Sequence, residues 1–254
     1  MEPIQSYRIW FTQRSGSTLL CKALESTQIA GIPGEYFNID NDSSFCKHYQ
    51  VNSFEQLQQK MWKLGTSPNG VFGIKHSMHQ DRYNKLFNEV LQLRSIIDPD
   101  PNHQEIWSAL FPNCKHLYLT RRNKVRLAVS WWKAIQDNVW HIESKGVRKQ
   151  TAEFYEDKYN FDALTHLFKE AMLKEAAMQA YFERYQIVPL TIVYEDFIRD
   201  YETTIHRILD YLELADQDYT IGPMFYKKTS DDHSEQWVER FRNDLQKDWK
   251  ERPW

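Results

Sequence analysis

Arg14, Ser15, Gly16, Ser17 and Thr18 stand between the apolar run Tyr7-Arg-Ile-Trp-Phe11 and a helical pattern that begins at Leu19. A strand, a tight turn and a helix start, in that order, aim backbone N–H groups and the positive end of a helix dipole at an anion. Gly16 permits close backbone approach, Ser17 and Thr18 offer hydroxyl donors, and Arg14 adds a fixed charge. The set suits a phosphate or sulfate group. A Ser-rich turn that merely caps a helix has the same local composition. The nucleoside-triphosphatase loop, Gly-x-x-x-x-Gly-Lys-Ser/Thr, sets a lysine against the outer phosphates and a hydroxyl on magnesium. Here the first glycine is absent and no lysine precedes Thr18, which argues against a P-loop nucleotide kinase.

A second group follows the apolar run 116–120. That strand delivers Arg121 and Arg122, and a helix carries Ser130 more than two turns on. A bidentate guanidinium with a hydroxyl selects a phosphate monoester. Two arginines at a helix start sit unfavourably beside the positive dipole end, which points to a bound anion. The third group is Gly34-Glu35-Tyr36-Phe37. A carboxylate desolvated among aromatics is suited to take a proton from an attacking hydroxyl, although a surface or capping glutamate is the plainer reading. Lys75 and His76 end the strand pattern 70–76 and, with Tyr36 and Phe37, form a candidate acceptor groove. For His76 a base is one reading and a satisfied polar residue at a strand end the commoner one.

These residues need a scaffold. Strand patterns at 7–12, 70–76, 116–120 and 188–194 alternate with helical ones at 17–27, 53–64, 81–94, 103–111, 124–139, 162–185, 199–213 and 233–250. Ser53 and Gln56 suit a capping box, and Leu164, Phe168, Met172, Ala176 and Tyr181 mark the apolar face of the longest helix. Residues 141–160 are charged and irregular, and read as a loop. Alternation of this kind predicts an α/β domain over residues 1–254, with a parallel sheet flanked by helices on both faces. In such sheets ligands bind beyond the carboxyl ends of the strands. Loops 13–18, 75–79 and 121–122 all lie there.

Composition narrows the class. A formal net charge of −3 argues against nucleic-acid binding, which uses a broad basic surface. Aromatics make up 15% of the residues, with nine Trp; most fill a core, and the excess suits a groove for sugars or ring systems. Cys21, Cys46 and Cys114 are widely spaced without a Cys-x-x-Cys pattern, so a metal or disulfide framework is not expected and a reducing compartment is. No basic-then-apolar leader or membrane-length apolar run is present. The expected location is the cytoplasm.

Several stretches in order resemble the bacterial trehalose 2-sulfotransferase family. They are Gln13-Arg-Ser-Gly-Ser-Thr-Leu-Leu20, Ala30-Gly31, Glu35-Tyr-Phe37, Asn69-Gly-Val-Phe-Gly-Ile-Lys75, Ala128-Val-Ser-Trp-Trp-Lys-Ala-Ile-Gln136, Val139-Trp140 and Ser234-Glu-Gln-Trp-Val-Glu-Arg-Phe-Arg242. Similarity is least at 40–62 and 80–112. The resemblance implies a P-loop-like sulfotransferase fold and 3′-phosphoadenylyl sulfate (PAPS) as donor, leaving adenosine 3′,5′-bisphosphate (PAP), with no metal. By motif, Glu35 matches the general base, and Arg14 through Thr18, with Leu19, match the phosphosulfate loop. Arg121 with Ser130 matches the 3′-phosphate element, with Arg122 as a second donor. Lys227-Lys228-Thr229-Ser230 falls where the family places a cofactor-covering segment, and departs from its pattern. The implied acceptor is trehalose, another disaccharide or a glycolipid, and the implied assembly a homodimer. A non-catalytic PAP- or PAPS-binding protein is the remaining alternative.

Overall fold

In the computed structural model, which describes residues 2–39, 42–99, 101–142, 153–155, 158–226 and 231–253, side-chain alternation along β1 (Gln5–Phe11) divides the protein into two sides. β1 lies inside a parallel sheet with β2 (Val71–Ser77), β3 (Cys114–Thr120) and β4 (Leu190–Val193), in the order β2-β1-β3-β4. Tyr7, Ile9 and Phe11 face one core with Leu117 and Leu119, while Trp10 faces another with Phe72, Ile74 and Tyr118. Period-two alternation buried on both faces explains the continuous apolar runs.

The helices are α1 (Ser17–Ser26), α2 (Phe45–Tyr49), α3 (Phe54–Gly65), α4 (Gln80–Leu93), α5 (His103–Ser108), α6 (Lys124–Asp137), α7 (Phe161–Arg184), α8 (Tyr194–Arg199), α9 (Tyr201–Tyr211) and α10 (Asp232–Leu245). α1, α8 and α9 cover the Ile9 side; α3, α4, α5 and the C-terminal half of α7 cover the Trp10 side. A third core forms away from the sheet, where α6 and the N-terminal half of α7 meet α10 through Leu127, Leu164, Trp237 and Phe241. No helix among the described residues is long and apolar enough to cross a membrane.

The buried stripe of α7 is Leu164, Leu167, Ala171, Met178, Tyr181 and Phe182, whereas Met172 and Ala176 are exposed. Steps of four residues advance about 40° beyond a full turn, so the expected series 164-168-172-176 drifts off the face. α2 and α8 are too short to show a period, and the helix expected at 199–213 runs over Tyr201–Tyr211 as α9, set off from α8 by Asp200.

Lys133 of α6 is buried, with Nζ 2.5 Å from both carboxylate oxygens of Asp231. Asp231 also caps α10, accepting from the Ser234 N–H at 3.0 Å. Partial burial pushes the Asp231 carboxyl up, but the Lys133 and Ser234 hydrogen bonds outweigh it and hold it below the usual range. We expect Asp231→Ala to cost about 2–4 kcal/mol, from the lost cap and the buried ammonium left without a carboxylate. A depressed folded-state value makes this stabilisation full above the ordinary carboxylate range, lost as pH falls through the folded value. Thermal melts should therefore show the gap between wild type and Asp231→Ala closing in acid.

Candidate active site

The turn after β1 is closed from within. Ser15 is buried, its N–H donates to the Thr12 carbonyl at 3.2 Å, and its hydroxyl donates to the same oxygen at 2.7 Å. Arg14 and Gly16 both take left-handed backbone conformations, at φ 65° and 90°. At Gly16 a Cβ would lie 2.5 Å from Tyr194 Cδ2. Gly16 is also the residue before α1, and among the described residues no side chain caps that helix. The serines therefore do not serve as a helix cap, and the first N–H groups of α1 need an outside acceptor.

Glu35 reaches this turn along the edge of the sheet. Gly31, at φ 72°, lies so close to β2 that a Cβ would sit 2.8 Å from the Gly73 nitrogen and 2.9 Å from the Val71 oxygen. Gly34 then bridges to Ile74, and the Lys75 N–H donates to the Gly34 carbonyl at 2.9 Å. Glu35 Oε1 consequently lies 2.9 Å from Lys75 Nζ. The same ammonium donates to Thr18 Oγ1 at 2.9 Å and approaches Ser17 Oγ at 3.4 Å. Lys75 thus links the turn to the carboxylate. Glu35 is 39% exposed and ion-paired, rather than enclosed by aromatics.

Phe37 lies beside Glu35 in the same cavity, but Tyr36 does not. The Tyr36 hydroxyl donates to the carbonyls of Ile32 and Leu64, and its ring stacks parallel to Phe72. Tyr36 therefore lines neither cavity beside the β1–α1 turn: residues 35–38 form a turn of their own, the Asn38 N–H donating to the Glu35 carbonyl at 2.8 Å, and the ring leaves the direction taken by Phe37. His76 forms part of the cavity wall, yet its Nε2 accepts from the Arg8 guanidinium at 3.1 Å and its ring packs 4.3 Å from Trp10. Burial, with Arg8 and His116 adding to it, holds the imidazole well below its usual pKa. The lone pair a base would need is already occupied.

On the other side of the turn, Arg121 and Arg122 diverge. Arg121 is buried, with NH1 3.3 Å from the Arg14 carbonyl and its guanidinium 4.9 Å from the Tyr194 ring centre. Its Nε makes no hydrogen bond among the described residues. Ser130 Oγ accepts from Arg14 Nε at 3.0 Å. Arg122 instead pairs with Asp196 at 2.8 Å. The N–H groups of Arg122 and Asn123 donate to Glu195 at 2.8 and 3.1 Å. Burial pushes the Glu195 carboxyl up, and these two N–H donors, with Arg121, hold it lower than usual. The positive start of α6 is therefore met at Arg122 by the carboxylates of Glu195 and Asp196.

The turn separates two cavities. One, of about 420 Å3, holds Glu35, Phe37, Lys75 and His76; the other, of about 270 Å3, holds Leu19, Arg121, Ser130 and Tyr194. Arg14, Ser17, Thr18, Trp140 and His141 line both. Trp140 and His141 follow α6 without any periodic signal, and sequence reasoning passed over His141. It likewise missed Arg82 in the first cavity and Tyr226 in the second. A basic residue in the first turn of α4 was a signal for Arg82. Lys228 and Thr229 lie outside the described residues.

Two trehalose 2-sulfotransferases are similar along nearly their whole length. That of Mycolicibacterium smegmatis is 27% identical over 96% of this chain and 96% of its own. That of Mycobacterium tuberculosis is 26% identical over 94% and 95%. Among solved structures, the sulfotransferase domain of the Synechococcus PCC 7002 olefin synthase is 18% identical, covering 86% of this chain and 76% of its own with a TM-score of 0.40. The sequence profile of the Stf0 sulphotransferases matches residues 6–244. By that match the chain belongs to the Stf0 sulphotransferase family and is a transferase of the sulfotransferase class.

Proposed function

We propose that this enzyme moves the sulfuryl group of PAPS onto a hydroxyl of a trehalose-like sugar by in-line transfer. The observation that carries the reading is the position of the turn, between a cavity holding Glu35 with Lys75 and one holding Arg121 with Ser130. The donor set fits the nucleotide. The N–H groups at the start of α1 and the Arg14 guanidinium suit the phosphosulfate, and the Arg121 guanidinium, which lines the second cavity with Ser130, suits the 3′-phosphate. Tyr194 offers a ring to the same cavity.

In the proposed step the acceptor oxygen attacks sulfur, the S–O bond to the nucleotide phosphate breaks, and the acceptor proton passes to Glu35. Lys75, bonded to both Glu35 and Thr18, stabilises charge on the transferring group and the leaving oxygen. The ammonium that a phosphate-binding loop would carry in sequence arrives here from β2. Phe37 offers an apolar face to the sugar.

A thermal-shift comparison tests the donor. Stabilisation grows with ligand excess over its dissociation constant, so PAP should raise the melting temperature well beyond ATP with magnesium. The reverse order would return the protein to the kinase reading. Labelled PAPS offered with trehalose and a panel of glycans then identifies the acceptor. Gly16→Ala should weaken PAP binding by at least about tenfold, because the left-handed backbone and the Tyr194 contact both resist a Cβ. Arg122→Ala should leave PAP affinity nearly unchanged, since that side chain is 60% exposed and turned to Asp196.

A further inference from the structure

His141 lines both cavities and stands against the start of α1, with Nε2 3.3 Å from Thr18 Oγ1. Its ring lies 5.3 Å from that of Tyr226. Thr18 Oγ1 already accepts from the Lys75 ammonium at 2.9 Å, and an ammonium has donors only. A hydroxyl carries one proton and two lone pairs, so with Lys75 on one lone pair the Thr18 proton is available to Nε2 of the neutral ring, in the tautomer protonated at Nδ1. The segment is held in place by Arg14, whose guanidinium donates to the Trp140 carbonyl next door.

In the free protein His141 therefore engages a hydroxyl at the place an anion would occupy. We infer that His141 is a proton-coupled ligand of the donor nucleotide: a neutral acceptor for Thr18 in the free enzyme, and an imidazolium donor to the nucleotide's anionic group once that group is bound. The inference rests on the sulfotransferase reading above.

The electrostatics agree with the geometry. Desolvation first, then the Arg14 and Lys75 cations, push the His141 imidazole down to about 4, against a smaller opposing effect of Glu35. Those cations face it from the turn and from β2, Glu35 faces it from the sheet edge, and Tyr226 faces it from the segment beyond α9. Arg121 shares the second cavity. A polyanion bound at α1 cancels the field of Arg14 and Lys75 and so favours the charged ring. The proton comes from solvent, and the Thr18 hydroxyl turns to the ligand at the same time.

Calorimetric titration of PAP into the full chain, in buffers of different ionisation enthalpy between about pH 6 and 8, reads the proton directly. The phosphates of the nucleotide themselves titrate near pH 6, so the measured quantity is the difference between proteins. Wild type should take up more protons than His141→Gln and His141→Phe, and its affinity should fall more steeply as pH rises. At pH 6 both variants should bind about ten- to a hundredfold more weakly, as expected for a lost charge-assisted hydrogen bond. Equal proton uptake and equal pH slopes in wild type and variants, with PAP still bound tightly, overturn the role of His141 alone. Failure of wild type to bind PAP overturns the donor reading and this inference with it.

Discussion

Glu35→Gln should slow sulfuryl transfer by about 10²–10⁴-fold, the usual contribution of a positioned general base, with PAP affinity nearly unchanged. The amide keeps the shape of the side chain and an oxygen for Lys75, so the turn and both cavities should persist. What disappears is the ability to accept a proton from the attacking hydroxyl. Separate measurements of transfer with labelled PAPS and of PAP binding distinguish this from a damaged site. Full activity in the variant would remove Glu35 from the chemistry. Bound nucleotide without transfer in both proteins would favour a nucleotide-binding protein that does not catalyse. Lys75→Met adds a control: it should impair transfer with Glu35 intact, because Lys75 contacts both the carboxylate and the turn.

Arg121→Ala should weaken PAP binding by about ten- to a hundredfold, the value of a charge-assisted hydrogen bond lost from a buried position. The informative comparison is with adenosine 5′-phosphate, which lacks the 3′-phosphate. If Arg121 grips that group, the variant loses most of its preference for PAP while its weaker affinity for adenosine 5′-phosphate barely moves. An equal loss for both ligands would place Arg121 on the 5′ side instead. Arg121→Lys should recover little, since one ammonium does not reproduce a planar pair of donors.

The β1–turn–α1 unit was legible because the chain changes period at a glycine, and both the sheet and its flanking helices followed from alternating strand and helix patterns. Choosing between Arg121 and Arg122 was not possible on the same terms. Adjacent residues at a strand end point to opposite sides, and what holds the Arg122 side chain apart from that of Arg121 is Asp196, more than seventy positions away in the chain. Tyr36 was not separable from Phe37 by pattern, because the two sit in a turn closed by the Asn38 N–H on the Glu35 carbonyl rather than in a strand with a fixed period. Lys75 was legible as a candidate site residue, but its link to Thr18 arises only when β2 pairs with β1. His141 follows α6 in a segment with no period, so its place between the cavities depended entirely on where α6 ends.

β2 lies at one rim of the sheet, where unpaired peptide groups would invite strand addition from another molecule. The strip that carries Glu35 occupies that rim through Gly34 and Ile74, and residues 66–67 cover the adjoining stretch. The proton transfer proposed for Glu35 and the covering of the sheet rim consequently draw on the same few peptides. Loosening Gly31 or Gly34 would displace the carboxylate and at the same time open a template for aggregation, so loss of turnover and loss of colloidal behaviour should appear together in such variants.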